Sequence, residues 1–442
     1  MKILIVNKFL YPNGGSETYI FKLGEELKKQ GHEVQYFGME HEGRVVGNDA
    51  GIYTSGMDFH TGKLQKLLYP FKIIYSKEAY KKMYALMDEF RPDVVHLNNF
   101  NFQLTPSIIY AARDWEKKND HKVEIIYTAH DSQLVCPDHL MMLPSGKTCF
   151  ACKGGCFGNC IKNRCIHGSL IKSILGAIEA RYYLGRKTYD LIDVIICPSE
   201  FLKSRLETYP LWSGKEGAPA KGSSAKGSAA GRHPRIVMMH NFLTTAPPTT
   251  LVTANTQAAA NTTSGATASA TNMTVDDAAS YILYFGRYSE EKGVKTLLSV
   301  CRELPDVRFK FAGNGPLRPD VESLDNVTNL GFLQGEELYN TIKNAKLVIF
   351  PSECYENCPF TVMESISYGT PVIGSDIGGV PELLNDGVTG ELFEPGNKED
   401  LRKHIESLLS DKDKLERYSA NCRETKYSGI TDYTHEFLRQ IQ

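Results

Sequence analysis

The chain has 442 residues, 42% of them apolar and 23% charged, and a formal net charge of −2. Its length predicts two domains of about 150–200 residues each, with some chain left over. The composition excludes a wholly disordered, collagen-like or small disulfide-rich chain, and the bulk charge gives no reason to expect a nucleic-acid partner.

No stretch approaches the roughly 20 apolar residues of a membrane span. The apolar run Ile3–Val6 is too short for a signal-peptide core, so the chain reads as cytoplasmic. Charge is uneven. Residues 1–212 hold 27 Lys and Arg against 23 Asp and Glu, whereas residues 281–442 hold 18 against 26. The mildly basic first half suits an anionic surface or ligand.

In chain order, Lys2–Asn7 reads as a strand, followed by a loop with Gly14-Gly15 and a helix running to Gln30. Ile20, Leu23 and Leu27 share one face of that helix, and Gly31 ends it. His32–Phe37, Val94–Leu97, Val123–Thr128 and Val194–Cys197 read as further strands. Strands separated by helices predict a parallel sheet, and residues 1–212 form the first domain. Residues 213–280 form a linker. Its parts 213–234 and 244–280 are poor in large apolar side chains and flank an apolar strand at 235–242. Alternation resumes with strands Tyr281–Phe285, Arg308–Ala312, Leu347–Phe350 and Pro371–Ser375. Helices are predicted near 294–303, 336–344, 360–368 and 398–409, completing a second domain over 281–425. The tail, 426–442, reads as a helix that packs back across the linker.

Ligands of parallel α/β sheets gather at the carboxyl ends of the strands. The conspicuous motifs fall there. Gly14-Gly15 lets backbone approach a ligand ahead of a helix N-terminus, whose free N–H groups favour an anion. Gly286-Arg287-Tyr288-Ser289-Glu290-Glu291-Lys292-Gly293 places a guanidinium and an ammonium where both can reach one phosphate. Pro351–Glu364 sets Glu356 in a loop and Glu364 on the helix that Pro359 opens, with Cys358 and Phe360 beside it. One carboxylate then suits sugar hydroxyls and the other a ribose, and Glu353 competes with Glu356 for the loop role.

Glu356-x7-Glu364, the Gly286-Arg287…Lys292-Gly293 loop, Gly369-Thr370-Pro371 with Gly378-Gly379-Val380-Pro381-Glu382, and Gly387-x-x-Gly390 together resemble glycosyltransferase family 4. Gly14-Gly15 and Gly31-His32-Glu33-Val34 fit its first domain, so the resemblance covers nearly the whole chain except the linker insertions. It implies a GT-B fold: two Rossmann-like domains facing each other across a cleft. It also implies a nucleotide-sugar donor, transfer with retention of anomeric configuration, and no catalytic metal. By position, Arg287 and Lys292 would bind the diphosphate, Glu364 the ribose and Glu356 the donor sugar. Gly15 would present its N–H near the phosphate, and His130 would contact the sugar. Gly14, Gly286, Cys358, Pro359 and Phe360 complete the donor site. The implied activity is a hexosyltransferase using a UDP- or GDP-sugar and a glycan or lipid-linked acceptor in cell-surface polysaccharide synthesis. The alternatives are a nucleotide-sugar 2-epimerase of the same architecture and a zinc-stabilised sugar-nucleotide-binding protein without turnover.

Two features lie outside that general pattern. Residues 136–165 form a cysteine-rich insert containing Cys149-x2-Cys152-x3-Cys156-x3-Cys160-x4-Cys165. Cys149, Cys152, Cys160 and Cys165 suit a structural tetrahedral zinc site with Cys156 spare, and a bacterial subset of such transferases looks similar here. A disulfide or redox pair, free thiols or an iron–sulfur cluster are the other readings. Secondly, Lys63, Lys66, Lys72, Lys77, Lys81 and Lys82 are interleaved with Leu67, Leu68, Tyr69, Phe71, Ile73, Ile74 and Tyr75. With the basic residues of 161–189, this mix suits an anionic membrane surface, hence peripheral association with the inner face of the cell membrane. Solvated lysines on core helices are the plainer reading.

Overall fold

The computed structural model describes residues 1–56, 74–212, 233–243 and 281–441. The low-complexity stretches 213–232 and 244–280 lie outside the described residues, as do Lys63, Lys66, Leu67, Leu68, Tyr69, Phe71, Lys72 and Ile73.

Two six-stranded parallel sheets organise the chain. The first contains β1 (Lys2–Val6), β2 (Glu33–Phe37), β3 (Val94–Leu97), β4 (Glu124–Thr128), β5 (Val194–Cys197) and β6 (Arg235–Met238), in the order β2-β1-β3-β4-β5-β6. The second contains β7 (Ile282–Phe285), β8 (Phe309–Ala312), β9 (Val327–Gly331), β10 (Leu347–Phe350), β11 (Val372–Ser375) and β12 (Gly390–Phe393), in the order β12-β11-β10-β7-β8-β9. The central strands are buried on both faces, which is why they read as unbroken apolar runs. Each sheet reverses its winding once, between β1 and β3 in the first and between β7 and β10 in the second. The crevice at such a reversal is where open α/β sheets bind ligands. This is the doubly wound architecture expected of a GT-B fold.

Two strands escaped the sequence reading, β9 and β12, and both are sheet edges. The edge strand β9 is mostly half-buried and mixes polar residues with apolar ones, so it carries a weak pattern. Helices Lys77–Phe90, Ser107–Asn119 and Leu170–Gly185 were also not placed individually. The first of these contains Lys77, Lys81 and Lys82, so part of the basic stretch is a helix packed on Ser107–Asn119. Pro359 sits one residue earlier than expected: it caps the helix Phe360–Ser367 in an extended conformation rather than opening its first turn.

The last helix, Ile430–Arg439, returns to the first domain and packs on the helix Gly15–Lys29. Its Tyr433 hydroxyl lies 2.8 Å from that of Tyr19, and Thr431 donates to Glu26 at 2.9 Å. Tyr433 and Phe437 share a buried cluster with Ile3, Ile5, Tyr19, Ile126 and Phe242, and Phe360 from the second domain packs against it.

Candidate functional site

The site is built from loops at the carboxyl ends of β7, β10 and β11, facing the loops after β1, β3 and β4. After β7, the chain makes a short helical turn at Glu290–Lys292 and ends it with Gly293 in the left-handed conformation, φ 69°. A Cβ at Gly293 would lie 1.7 Å from the Pro351 carbonyl oxygen, so only glycine lets the two loops touch. The Glu291 carbonyl then accepts from the N–H groups of Glu353 and Cys354 at 3.0 and 3.1 Å.

This contact delivers Lys292 to Glu356. The Lys292 ammonium donates to Glu356 Oε1 at 2.6 Å, and the Ser352 hydroxyl donates to the same oxygen at 2.7 Å. Burial works against the Lys292 charge, but the neighbouring Glu356 carboxylate outweighs it and raises the pKa above the ordinary lysine value. Lys292 is therefore a fixed cation. Arg287, on the same loop, is exposed at the crevice, with Gly286 beside it at φ 151°, a backbone conformation that favours glycine. Glu353, the competitor for the loop role, is held by the Thr296 hydroxyl at 2.6 Å.

The loop after β11 supports Glu356 from behind. Gly378 is left-handed at φ 60°, and a Cβ there would approach the Glu356 carbonyl oxygen to 2.2 Å, while the Gly379 N–H donates to that oxygen at 2.7 Å. Glu364 lies half-buried on the helix Phe360–Ser367. Cys358 faces the interdomain crossing: the Asn241 N–H donates to its sulfur at 3.2 Å and the Asn241 amide to its carbonyl at 2.9 Å. That places Cys358 in the packing of the crossing segment.

Across the cleft, Gly14 precedes the helix Gly15–Lys29 in extended backbone, and neither it nor Gly15 adopts a left-handed conformation. A Cβ at Gly15 would sit 3.7 Å from the Phe360 ring, an ordinary van der Waals contact, so the helix start lies close to the second domain. His130 follows β4, and its Nε2 lies 2.9 Å from Asn98 Oδ1. The Asn98 amide nitrogen is engaged with the carbonyls of Val6 and His96, so Oδ1 is the acceptor and His130 Nε2 carries the proton. Burial lowers the His130 pKa to about 4, leaving a neutral imidazole with Nδ1 as its acceptor. Burial opposes the charge of the adjacent Asp131, but His139, 3.4 Å away, holds its pKa below the usual carboxylate value.

Two contacts join the halves at this point. Asn357 donates its amide to the His130 carbonyl at 2.7 Å. The Glu382 carboxylate accepts from the N–H groups of Glu200 and Phe201 at 2.8 and 2.7 Å, at the N-terminus of the helix Glu200–Leu206. The structure thus brings His130, Lys292 and Glu356 around one crevice. Sequence reasoning missed the supporting residues Asn98, Ser352 and Asn357 and the latch Glu382. Ser352, Asn357 and Glu382 lay inside recognised motifs but had no separate signal, and Asn98 was marked only by following a strand.

Cys149, Cys152, Cys160 and Cys165 line one small cavity, and Cys136 joins them there, whereas Cys156 is exposed and outside it. Among the described residues, no three His, Cys, Asp or Glu side chains stand in metal-ligand geometry. No described helix is long and apolar enough to cross a membrane.

The family model for Glycosyltransferase Family 4 matches residues 13–215, and that for Glycosyl transferases group 1 matches residues 272–425. The chain is 34% identical over 152 residues to an alpha-D-kanosaminyltransferase of Streptomyces kanamyceticus, a match covering 32% of this chain and 39% of that protein. It is 32% identical over 157 residues to a GDP-mannose-dependent alpha-mannosyltransferase of Corynebacterium glutamicum, covering 35% of this chain and 36% of that protein. The matches thus span well under half of these curated relatives. Among solved structures, the fold is similar to sucrose-phosphate synthase from Thermosynechococcus elongatus, with TM-score 0.63 at 17% identity and coverage of 100% and 98% of the two chains. It is similar as well to Anabaena HepE in complex with UDP and glucose, with TM-score 0.59 at 14% identity and coverage of 100% and 99%. With both sheets, the cleft motifs and both family models in agreement, the chain belongs to glycosyltransferase family 4 and has the GT-B fold.

Proposed function

We propose that the chain transfers a hexosyl group from a UDP- or GDP-sugar to a glycan or lipid-linked acceptor, with retention of anomeric configuration and without a catalytic metal, in the assembly of a cell-surface polysaccharide. The observation that carries this reading is the half-buried Lys292–Glu356 pair set beside exposed Arg287 and opposite neutral His130.

A nucleoside diphosphate is a good leaving group, so the barrier is charge separation between an oxocarbenium-like sugar and the departing diphosphate. Arg287 and Lys292 are placed to stabilise that charge, and a fixed donor of this kind is worth about 100- to 1000-fold in rate. Gly15 presents its N–H toward the same phosphate. Glu364 takes the ribose hydroxyls, Glu356 those of the donor sugar, and His130 offers its bare Nδ1 to a sugar hydroxyl. Gly14, Gly286, Pro359 and Phe360 shape the walls. The corynebacterial relative is GDP-mannose-dependent by name, and HepE was solved with UDP, which supports leaving both bases in the donor panel.

A lipid-linked acceptor is favoured by the helix Leu170–Gly185. It exposes Leu170, Ile171, Ile178 and Tyr182, with Lys172, Arg181 and Arg186 exposed on the same helix or at its end. Apolar residues flanked by cations suit an anionic bilayer surface.

The deciding experiment incubates the chain with a panel of UDP- and GDP-sugars and measures nucleotide release with and without lipid and glycan acceptors. One donor should be consumed in an acceptor-dependent way with no divalent cation added. Release from no donor by folded protein, or conversion of the donor to its 2-epimer, overturns the reading.

A further inference from the structure

The cysteine-rich segment takes no part in the chemistry described above, yet it is built with care. Cys136, Cys149, Cys152, Cys160 and Cys165 come from successive turns and line a single cavity of about 10 Å³. A space of that size admits an ion or one water and no organic ligand. The rest of the wall is Val135, Met141, Met142, Phe150, Ala151, Asn159 and Asn163, with no lysine or arginine.

The Ala151 N–H donates to Cys149 Sγ at 3.4 Å, two residues along the chain. Five sulfurs that converge on one ion-sized cavity, with no basic side chain in its wall, suit a divalent cation of thiolate preference.

We propose that these five cysteines form a thiolate site for one zinc ion, which fastens the segment behind His130. The sulfurs line the wall without standing in ligand geometry, so binding requires the side chains to rotate into the cavity. Tetrahedral zinc takes four ligands, so one of the five stays outside the inner shell. Cys152 and Cys160, buried more deeply than Cys136, are the indispensable pair. Cys136 is the member that sequence spacing missed, and it connects the site to the cleft. Its N–H donates to the Ser132 carbonyl at 2.9 Å, the Ser132 N–H donates to the His139 carbonyl at 3.2 Å, and His139 lies against Asp131, next to His130. Zinc here acts on the position of the His130 loop and leaves no open coordination place for substrate.

The test is the metal and thiol content of the full chain, purified under reducing conditions without chelator. About one zinc per chain is expected, sharply reduced in Cys152→Ser and in Cys160→Ser and retained in Cys156→Ser, whose sulfur lies outside the cavity. Should either cavity variant fail to fold, the wild-type chain decides: a chelator that strips the metal should lower Tm by several degrees, and added zinc should restore it. A folded chain with no zinc and a full complement of free thiols overturns the proposal. So do thiols lost in pairs as disulfides, an iron-containing chromophore, or zinc retained in both cavity variants. None of these readouts depends on glycosyl transfer, so the result stands apart from that of the donor panel.

Discussion

The Lys292 ammonium and the Glu356 carboxylate meet at 2.6 Å, tying the loop after β7 to the loop after β10 across the winding reversal of the second sheet. The pair fixes a cation at the proposed donor site before any ligand arrives. Lys292→Ala should therefore reduce turnover by about 100- to 1000-fold. Glu356→Gln leaves Ser352 a partner but frees the ammonium. It should lose turnover to a similar degree while binding free UDP or GDP at least as tightly as wild type. Calorimetric titration of the nucleotide alongside kcat separates this from a purely structural pair, which would lose both together.

Gly293 is held at φ 69° with the Pro351 carbonyl where a side chain would be. Gly293→Ala should cost about 3 kcal/mol or more, since backbone strain and a clash with main chain add. Gly31 has φ 85° and nothing within 4 Å of its would-be Cβ. Gly31→Ala should cost only about 1 kcal/mol. Urea unfolding of the two variants measures the difference directly.

His130 accepts a proton in the folded chain only near pH 4, because burial disfavours its charged form. An ordinary histidine in the unfolded chain does so near pH 6.5. Below that value the unfolded state binds the proton first, so stability should fall as pH drops from about 6.5 toward 4. The buried His96, lowered to about 3, acts in the same direction. Urea midpoints measured across this window should decline, and less steeply in His130→Asn. Turnover should show no ionisation near pH 6.5 attributable to His130.

Tyr433 anchors the returning helix through the Tyr19 hydroxyl, which also lies 3.2 Å from Thr128. Tyr433→Phe should cost about 1 kcal/mol, the loss of one hydrogen bond. Tyr433→Ala opens a cavity in the first domain's core and should cost about 3–5 kcal/mol. Thermal unfolding checks both.

Glu382 reaches from the second domain to cap a helix of the first. Glu382→Ala should cost about 1 kcal/mol, in the range of a lost N-cap. It should also loosen domain closure, raising the radius of gyration in small-angle scattering without nucleotide. An unchanged radius would make the contact local capping alone.

The sequence by itself determined the two parallel sheets, the family and the principal loops. Central strands such as Val94–Leu97 and Leu347–Phe350 are buried on both faces, and that burial writes a continuous apolar run into the chain. The motifs were legible for a related reason: Gly293 and Gly378 stand where a side chain would strike main chain, so the fold permits little else there. Edge strand β9 left a weaker signal because it is mostly half-buried, and β12 because its short run includes a glycine and the buried Glu391. Only the tertiary structure decided which partners meet: Lys292 with Glu356, Asn357 with the His130 carbonyl, Cys358 with Asn241, and Cys136 with cysteines beyond its own turn. These contacts join separate loops, and the geometry that aligns them comes from packing within and between the two domains, which has no local periodicity to betray it.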